Sequence, residues 1–282
     1  MTTINIILIC YNQEQYIESA LKSILLQRVK EDVAVRLIVA DDCSTDQTLL
    51  RIHQYLKDNN DGRLLIKGVH FLETDHNLGI SRNYQRAFAA CDGDYIAIME
   101  GDDFWTKDYH LQQHIDFLQS HPECSMSMNR ITYTYDNGPA TIEEWHFKED
   151  FHNFTLQEQI EWSNLLGNLS ACVLRTSCVK RIPEKNFSVY FDDFLLGISL
   201  AEFGNLGILK ESTSLYRGNS NSLWASMSSC KRILRAFNHF RLYDKLYDYK
   251  YHTYWLTSRK RYIKQTYRNI KLKIAHKISG KK

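Results

Sequence analysis

The sequence predicts an α/β fold with a mostly parallel central sheet flanked by helices. Three observations carry this. Short β-branched runs alternate with segments of helical period through the first hundred residues, polar clusters stand at the ends of those runs, and 282 residues with 44% hydrophobic content can bury a sizeable core. Ligands of such sheets sit beyond the carboxyl ends of the strands, so chemistry is expected in those polar clusters.

Ile4 to Cys10 reads as a buried strand, and Glu14 to Leu26 as a helix with Ile17, Leu21, Ile24 and Leu25 on one face. A strand at Val33 to Ala40 is followed by Ser44-Thr45-Asp46, whose side-chain oxygens suit a helix start, and by a helical pattern through Leu49, Leu50, Ile52 and Leu56. A strand near Leu64 to Leu72, a helix near Ile80 to Ala90 and a strand at Tyr95 to Met99 complete a βαβαβαβ order. A helix over Lys107 to Ser120 follows, and the alternation then weakens. Arg130 to Tyr135 reads as a strand, Asp136-Asn137-Gly138 as a turn and Thr141 to Phe147 as its return. Helices at Leu156 to Leu166 and Asp193 to Phe203, and strands at Ala171 to Arg175 and Leu206 to Tyr216, finish the body.

Seven cysteines, odd in number and without a C-x-x-C pair, imply neither a disulfide framework nor a zinc ribbon. No secretory signal opens the chain, and no segment reaches the roughly 18 apolar residues of a membrane span, so a cytoplasmic address is expected. The formal charge of +2 hides an asymmetry: residues 1–229 carry a net −12 and residues 230–282 a net +14. The expected division is therefore a body at 1–229, split into 1–125 and 126–229, and a basic tail at 230–282.

Glu100, Asp102 and Asp103 leave the strand at Tyr95 to Met99 in Met-Glu-Gly-Asp-Asp-Phe-Trp, a natural site for a hard divalent cation that prefers oxygen and bridges to phosphate. A turn with solvated acids is the plain alternative. Tyr11 and Asn12 end the first strand, Asp41 to Asp46 end the second, and Asn77-Leu78-Gly79 with Arg82 precede the fourth. An aromatic face beside a carboxylate suits a base ring and an arginine suits phosphate, although each residue alone reads equally as a cap or turn.

In order, these segments resemble the inverting family 2 glycosyltransferases of GT-A fold, from Ile4 to about Ser228. The resemblance runs through Ile-Leu-Ile-Cys-Tyr-Asn-Gln-Glu, Val-Ala-Asp-Asp-Cys-Ser-Thr-Asp, Asn-Leu-Gly-Ile-Ser-Arg-Asn and Glu-Gly-Asp-Asp-Phe-Trp, then Asp192-Asp193-Phe194-Leu195-Leu196 and Tyr216-Arg217-Gly218-Asn219. The Glu-Gly-Asp-Asp-Phe-Trp form and Ser222-Leu223-Trp224 look like the branch that builds bacterial capsule and O-antigen (lipopolysaccharide) glycans. The resemblance implies a nucleotide-sugar donor, UDP-linked by expectation, a lipid-linked glycan acceptor and a divalent metal, Mn²⁺ or Mg²⁺. It assigns Tyr11, Asp42 and the backbone of Ile9 to the nucleobase, Arg82 and Asp102 to the ribose-diphosphate region, and Asp103, with Asp102, to the metal. Asp193 falls on the general base, with Asp192 as its rival, and Trp105 and Trp224 flank motifs where an acceptor sugar could stack. Asn219 stands where the family often has a histidine, which removes an imidazole from the metal.

A carboxylate at the base position is what the chemistry needs: a sugar hydroxyl is a poor nucleophile until its proton is accepted, and a departing diphosphate develops charge that a cation neutralises. A non-catalytic binding module on the same fold is the alternative. A sugar-phosphate nucleotidylyltransferase would carry a Gly-rich basic loop where Tyr11-Asn12-Gln13-Glu14 stands. His110 and His114, four apart without the H-E-x-x-H glutamate, read as a solvated helix face ahead of a zinc pair. In the tail, Ile263, Tyr267, Ile270, Ile274 and Ile278 form a stripe flanked by basic residues, with Tyr243, Tyr247, Tyr249, Tyr251, Tyr254 and Trp255 upstream. An anionic membrane surface is the first expectation for this tail, packing on the acidic body the second and nucleic acid the last.

Overall fold

The computed structural model describes residues 1–59, 66–135, 138–162, 166–218 and 229–279. Asn219, Trp224 and the turn residues Asp136 and Asn137 lie outside the described residues, as do the side chains of Ile270, Ile274 and Ile278.

An eight-stranded sheet forms the centre. It contains β1 (Thr2–Cys10), β2 (Val33–Asp41), β3 (Ile66–Phe71), β4 (Tyr95–Glu100), β6 (Cys124–Asn129), β9 (Phe151–Phe154), β10 (Cys172–Arg175) and β11 (Asn205–Leu209) in the order β3-β2-β1-β4-β10-β6-β11-β9. The strands run parallel except β10 and β9. Helices α1 (Ile17–Leu25), α2 (Thr48–Asp58), α3 (Ile80–Ala89), α4 (His110–Ser120), α5 (Leu156–Trp162), α6 (Thr176–Val179) and α7 (Asp193–Ala201) connect them. The run Ile4 to Cys10 is buried at every residue, as a strand covered on both faces requires. Strand order turns back between β1 and β4, which opens a crevice at their carboxyl ends.

A second sheet, β5-β12-β7-β8, comprises β5 (Phe104–Trp105), β7 (Thr132–Tyr135), β8 (Thr141–Ile142) and β12 (Ser214–Gly218). The expected single strand Leu206 to Tyr216 is thus two strands in different sheets. Strand β6 was not foreseen. Its Cys-Ser-Met-Ser-Met-Asn run lacks β-branched residues, and all six of its residues are buried between β10 and β11.

The basic tail is two helices, α8 (Ser229–Leu246) and α9 (His252–Ser279). Phe240, Tyr243, Tyr247 and Trp255 are buried in one cluster with Phe194, Leu195 and Leu196 of α7. Several aromatics expected at a membrane interface are therefore core, because an amphipathic helix first covers the apolar face it can reach. Farther along, Ile263 and Tyr267 are 55% and 66% exposed. Among the described residues, no helix is long and apolar enough to cross a membrane.

Candidate active site

At the ends of β1 and β2 the loops are laced together. Asn12 adopts a left-handed backbone (φ 52°) and accepts from Thr45 N at 2.8 Å through Oδ1, while its own N–H donates to Ser44 Oγ at 2.9 Å. Asp42 is buried, and its two carboxylate oxygens accept from Leu78 N (2.8 Å) and Gly79 N (2.9 Å). Gly79, at φ 78°, supplies the backbone turn that lets both amides converge on that carboxylate. Tyr11 stands 44% exposed beside this frame.

The crevice narrows where Gly101 N donates to Ile9 O at 2.9 Å. A Cβ at Gly101 would press on Gln13 Oε1, Ile17 Cδ1 and Cys10 Cβ, so the acidic turn meets β1 at a residue without a side chain. That turn places three carboxylates in three environments. Glu100 accepts from Tyr84 Oη at 3.0 Å, and burial followed by the charges of Asp103 and Asp102 pushes its pKa well up. Asp102 is partly exposed; burial raises it, while Arg217 and a hydrogen bond from Gln13 pull the other way.

Asp103 departs from expectation. It is fully buried and accepts three hydrogen bonds, from Asn168 Nδ2 and Ser170 Oγ at 2.7 Å each and from Arg217 N at 2.9 Å. Burial and then Asp102 push its carboxyl up to about 7. A carboxylate enclosed by three protein donors braces the second sheet against the acidic turn and has no open side for a phosphate-bridging cation. Asp102 is the member of the pair with solvent access. Among the described residues no group of three His, Cys, Asp or Glu is placed to hold a metal. One or two carboxylate oxygens still fit a Mg²⁺-type cation, which completes its shell with water and substrate phosphate.

Two arginines stand in different settings. Arg82 is half-exposed and turned to Gln85 Oε1 (2.6 Å), with Glu184 at 4.0 Å. Arg217 lies in the acidic corner: Nη1 donates to Ser19 Oγ at 3.0 Å, and the guanidinium sits 4.8 Å from the Phe104 ring centre and 5.3 Å from that of Tyr16. The sequence contained Arg217 within a motif but offered no periodic or charge signal for its partner, because the contact joins β12 to the first turn of α1, far away in the chain.

Trp105 is buried, donates Nε1–H to Ser170 O at 2.8 Å and stacks on His110 with ring centres 4.5 Å apart. It forms part of the core and offers no face to a sugar. His110 and His114 are also fully buried, hydrogen-bonded through Nδ1 to Thr213 Oγ1 (2.7 Å) and Ser127 Oγ (2.8 Å). They are neither a solvated face nor a metal pair, and burial holds both imidazoles below their usual range, His114 at about 4.

Asp192 and Asp193 open α7. Asp192 caps the helix, accepting from Leu195 N at 2.9 Å, and also accepts from Tyr243 Oη at 2.9 Å. Asp193 Oδ1 accepts from Phe194 N at 2.9 Å. Both line a cavity that also contains Glu100, Tyr190 and Tyr216.

A doubly flanked parallel sheet, an acidic turn at its switch point and an added small sheet define a GT-A fold, the class of nucleotide-sugar-dependent transferases. The chain belongs to glycosyl transferase family 2, whose family model matches residues 5–182. An uncharacterized protein of Mycobacterium tuberculosis is 28% identical over 230 residues, 81% of this chain and 62% of that protein. The chain thus spans less than two thirds of that relative's length. The poly(ribitol-phosphate) β-N-acetylglucosaminyltransferase TarS of Staphylococcus aureus is 30% identical over 121 residues, 43% of this chain and 20% of TarS. A structure of TarS residues 1–349 with UDP-GlcNAc superimposes with a TM-score of 0.58 at 21% identity, over 80% of this chain and 61% of that one. The mannosyltransferase PcManGT of Pyrobaculum calidifontis, solved with GDP-Man and Mn²⁺, gives 0.57 at 15% identity, over 86% and 63%. At these identities the structural matches speak for the fold.

Proposed function

We propose that the protein transfers a sugar, with inversion, from a UDP-linked donor to a lipid-linked glycan of the cell-surface polysaccharide class, O-antigen or capsule. The observation that carries this reading is the meeting of Asp193, from the start of α7, with Glu100, from the end of β4, in one cavity beside the switch-point crevice. In this reading Tyr11, Asp42 and the Ile9 backbone border the uracil, Asp102 faces the diphosphate with Arg82 nearby, and Asp102 rather than Asp103 holds a divalent cation. When bound, that cation supplies charge neutralisation on the leaving diphosphate.

Asp193 accepts the proton of the acceptor hydroxyl as its oxygen bonds to the anomeric carbon and the carbon–diphosphate bond breaks on the opposite face. The N-terminal turn of α7 holds this carboxylate rigidly, and Asp192 is committed to capping. The exposed Ile263 and Tyr267, flanked by Lys260, Arg261, Lys264 and Arg268, support attachment of distal α9 to an anionic membrane surface, where a lipid-linked acceptor resides.

The test is a donor screen on lipid-linked acceptors with and without Mg²⁺ or Mn²⁺, reading released nucleoside diphosphate and product mass. UDP release coupled to a glycosylated product supports the reading. Nucleotide-sugar binding without turnover on any acceptor favours a binding module.

A further inference from the structure

The cavity that contains Asp193 has a volume of about 580 Å³, the size of a small-ligand pocket. One wall comes from the basic tail: Arg235, Ala236, His239 and Phe240 of α8, joined by Tyr262 of α9. Their spacing along α8 puts them on one helical face. The guanidinium of Arg235 lies over the Tyr190 ring, 5.0 Å from its centre, and His239 Nδ1 stands 3.5 Å from Asp192 Oδ2.

The chemistry of the lining restricts what can enter. Among the described residues its titratable lining is Glu100, Asp192, Asp193, His239 and Arg235; burial and then the charges of Asp103 and Asp102 favour the neutral form of Glu100, which leaves two aspartates against one guanidinium. Ionised carboxylates only accept hydrogen bonds, and a guest must therefore bring donors. The partly exposed rings of Tyr190 and Tyr216 offer apolar faces suited to the C–H side of a pyranose. An anion in this space would face the carboxylates of Asp192 and Asp193 at low local dielectric.

We propose that this cavity takes an uncharged, hydroxyl-rich sugar unit of the acceptor, that α8 forms its selecting wall, and that uronic acid and sugar-phosphate units are excluded from it. This rests on the reading that Asp193 faces the acceptor. It assigns the basic tail a part in acceptor choice beside the membrane attachment proposed for distal α9.

The test uses the full-length protein saturated with UDP and saturation-transfer NMR with the methyl glycosides of glucose, galactose and N-acetylglucosamine against those of glucuronic and galacturonic acid. The neutral glycosides should bind, and the uronides should bind about tenfold or more weakly. Ala236→Trp should fill the cavity and abolish neutral-glycoside signals; Ala236→Leu is the substitute if the larger ring unfolds α8. Uronides binding as well as neutral sugars, or neutral signals surviving in the filled variant, would overturn the proposal. Calorimetric titration of UDP separates the two levels. UDP binding without glycoside binding overturns this inference alone, whereas no UDP binding overturns the donor reading and the inference with it.

Discussion

Tyr243 donates its phenolic hydrogen to Asp192 Oδ1 at 2.9 Å, so a residue of the basic tail fixes the turn that presents Asp193. Tyr243 and Trp255 are fully buried and meet the Phe194 ring edge-on, with centres 6.0 and 5.8 Å away. Losing a buried aromatic costs about 3–5 kcal/mol. Truncation after Ser229 should therefore lower the urea midpoint sharply or prevent folding altogether. A truncated chain that unfolds at the same midpoint as the full length would mean that the tail is a mere appendage.

The paired aspartates should separate by phenotype. Asp103→Ala leaves Asn168, Ser170 and the Arg217 amide without their acceptor, at about 1–3 kcal/mol for each unsatisfied buried group, and should act mainly on stability. Asp102→Ala should leave melting nearly unchanged while removing metal-dependent UDP-sugar binding. Calorimetry with thermal melting on both variants decides; the opposite pattern would restore Asp103 as the cation ligand.

Asp193→Asn keeps size and the hydrogen bond from Phe194 N but cannot accept a proton. Turnover should fall roughly 100-fold or more with donor affinity retained. Asp192→Asn should instead loosen the α7 cap and the Tyr243 contact, read as a lower melting temperature. If Asp192→Asn alone abolishes turnover, the base is the first aspartate.

His114 carries a pH prediction. Burial holds its pKa at about 4 against an ordinary 6.5, so between those values the unfolded chain binds a proton that the folded chain does not. Stability is fully present above about pH 6.5 and is lost as pH falls toward 4, on the order of 3 kcal/mol from this group. His114→Asn can still contact Ser127 Oγ but carries no such proton, and should flatten the acid limb of a urea-midpoint profile. An acid limb parallel to that of the wild type would refute the assignment.

Distal α9 can be tested without disturbing the core. Ile263→Glu with Tyr267→Glu, both at exposed positions, should reduce co-sedimentation with anionic vesicles, and raised salt should weaken binding of the unmodified chain. Equal binding to neutral and anionic vesicles would remove the electrostatic anchor.

Local pattern made much of this protein legible. The βαβ alternation to β4, the start of α7 at Asp193 and the acidic turn after β4 all rest on periodicity and turn chemistry acting within a few residues, whereas the N-cap of α2 is Gln47, without a side-chain cap, and not the expected Ser44-Thr45-Asp46. The ordered motifs likewise pointed to family 2, which the match over residues 5–182 bears out. Where the reading missed, the deciding contacts lie far apart in sequence. Strand β6 forms because β10 and β11 flank it, although Ser and Met have little strand preference of their own.

The same distinction governs the site. Sequence alone established that carboxylates would cluster at the strand ends, because their identity and spacing are local facts. Only the tertiary structure decided which of them meets solvent: Asp103 is closed off by Asn168, Ser170 and Arg217, whereas Asp102 is not. It also decided that Trp105 and the histidine pair are core and that Tyr243 braces Asp192. The charge of the tail could be counted along the chain, but which of its faces is covered depends on where α8 and α9 meet α5 and α7. Burial is a property of the neighbours a residue acquires on folding, and those neighbours come from distant segments of the chain.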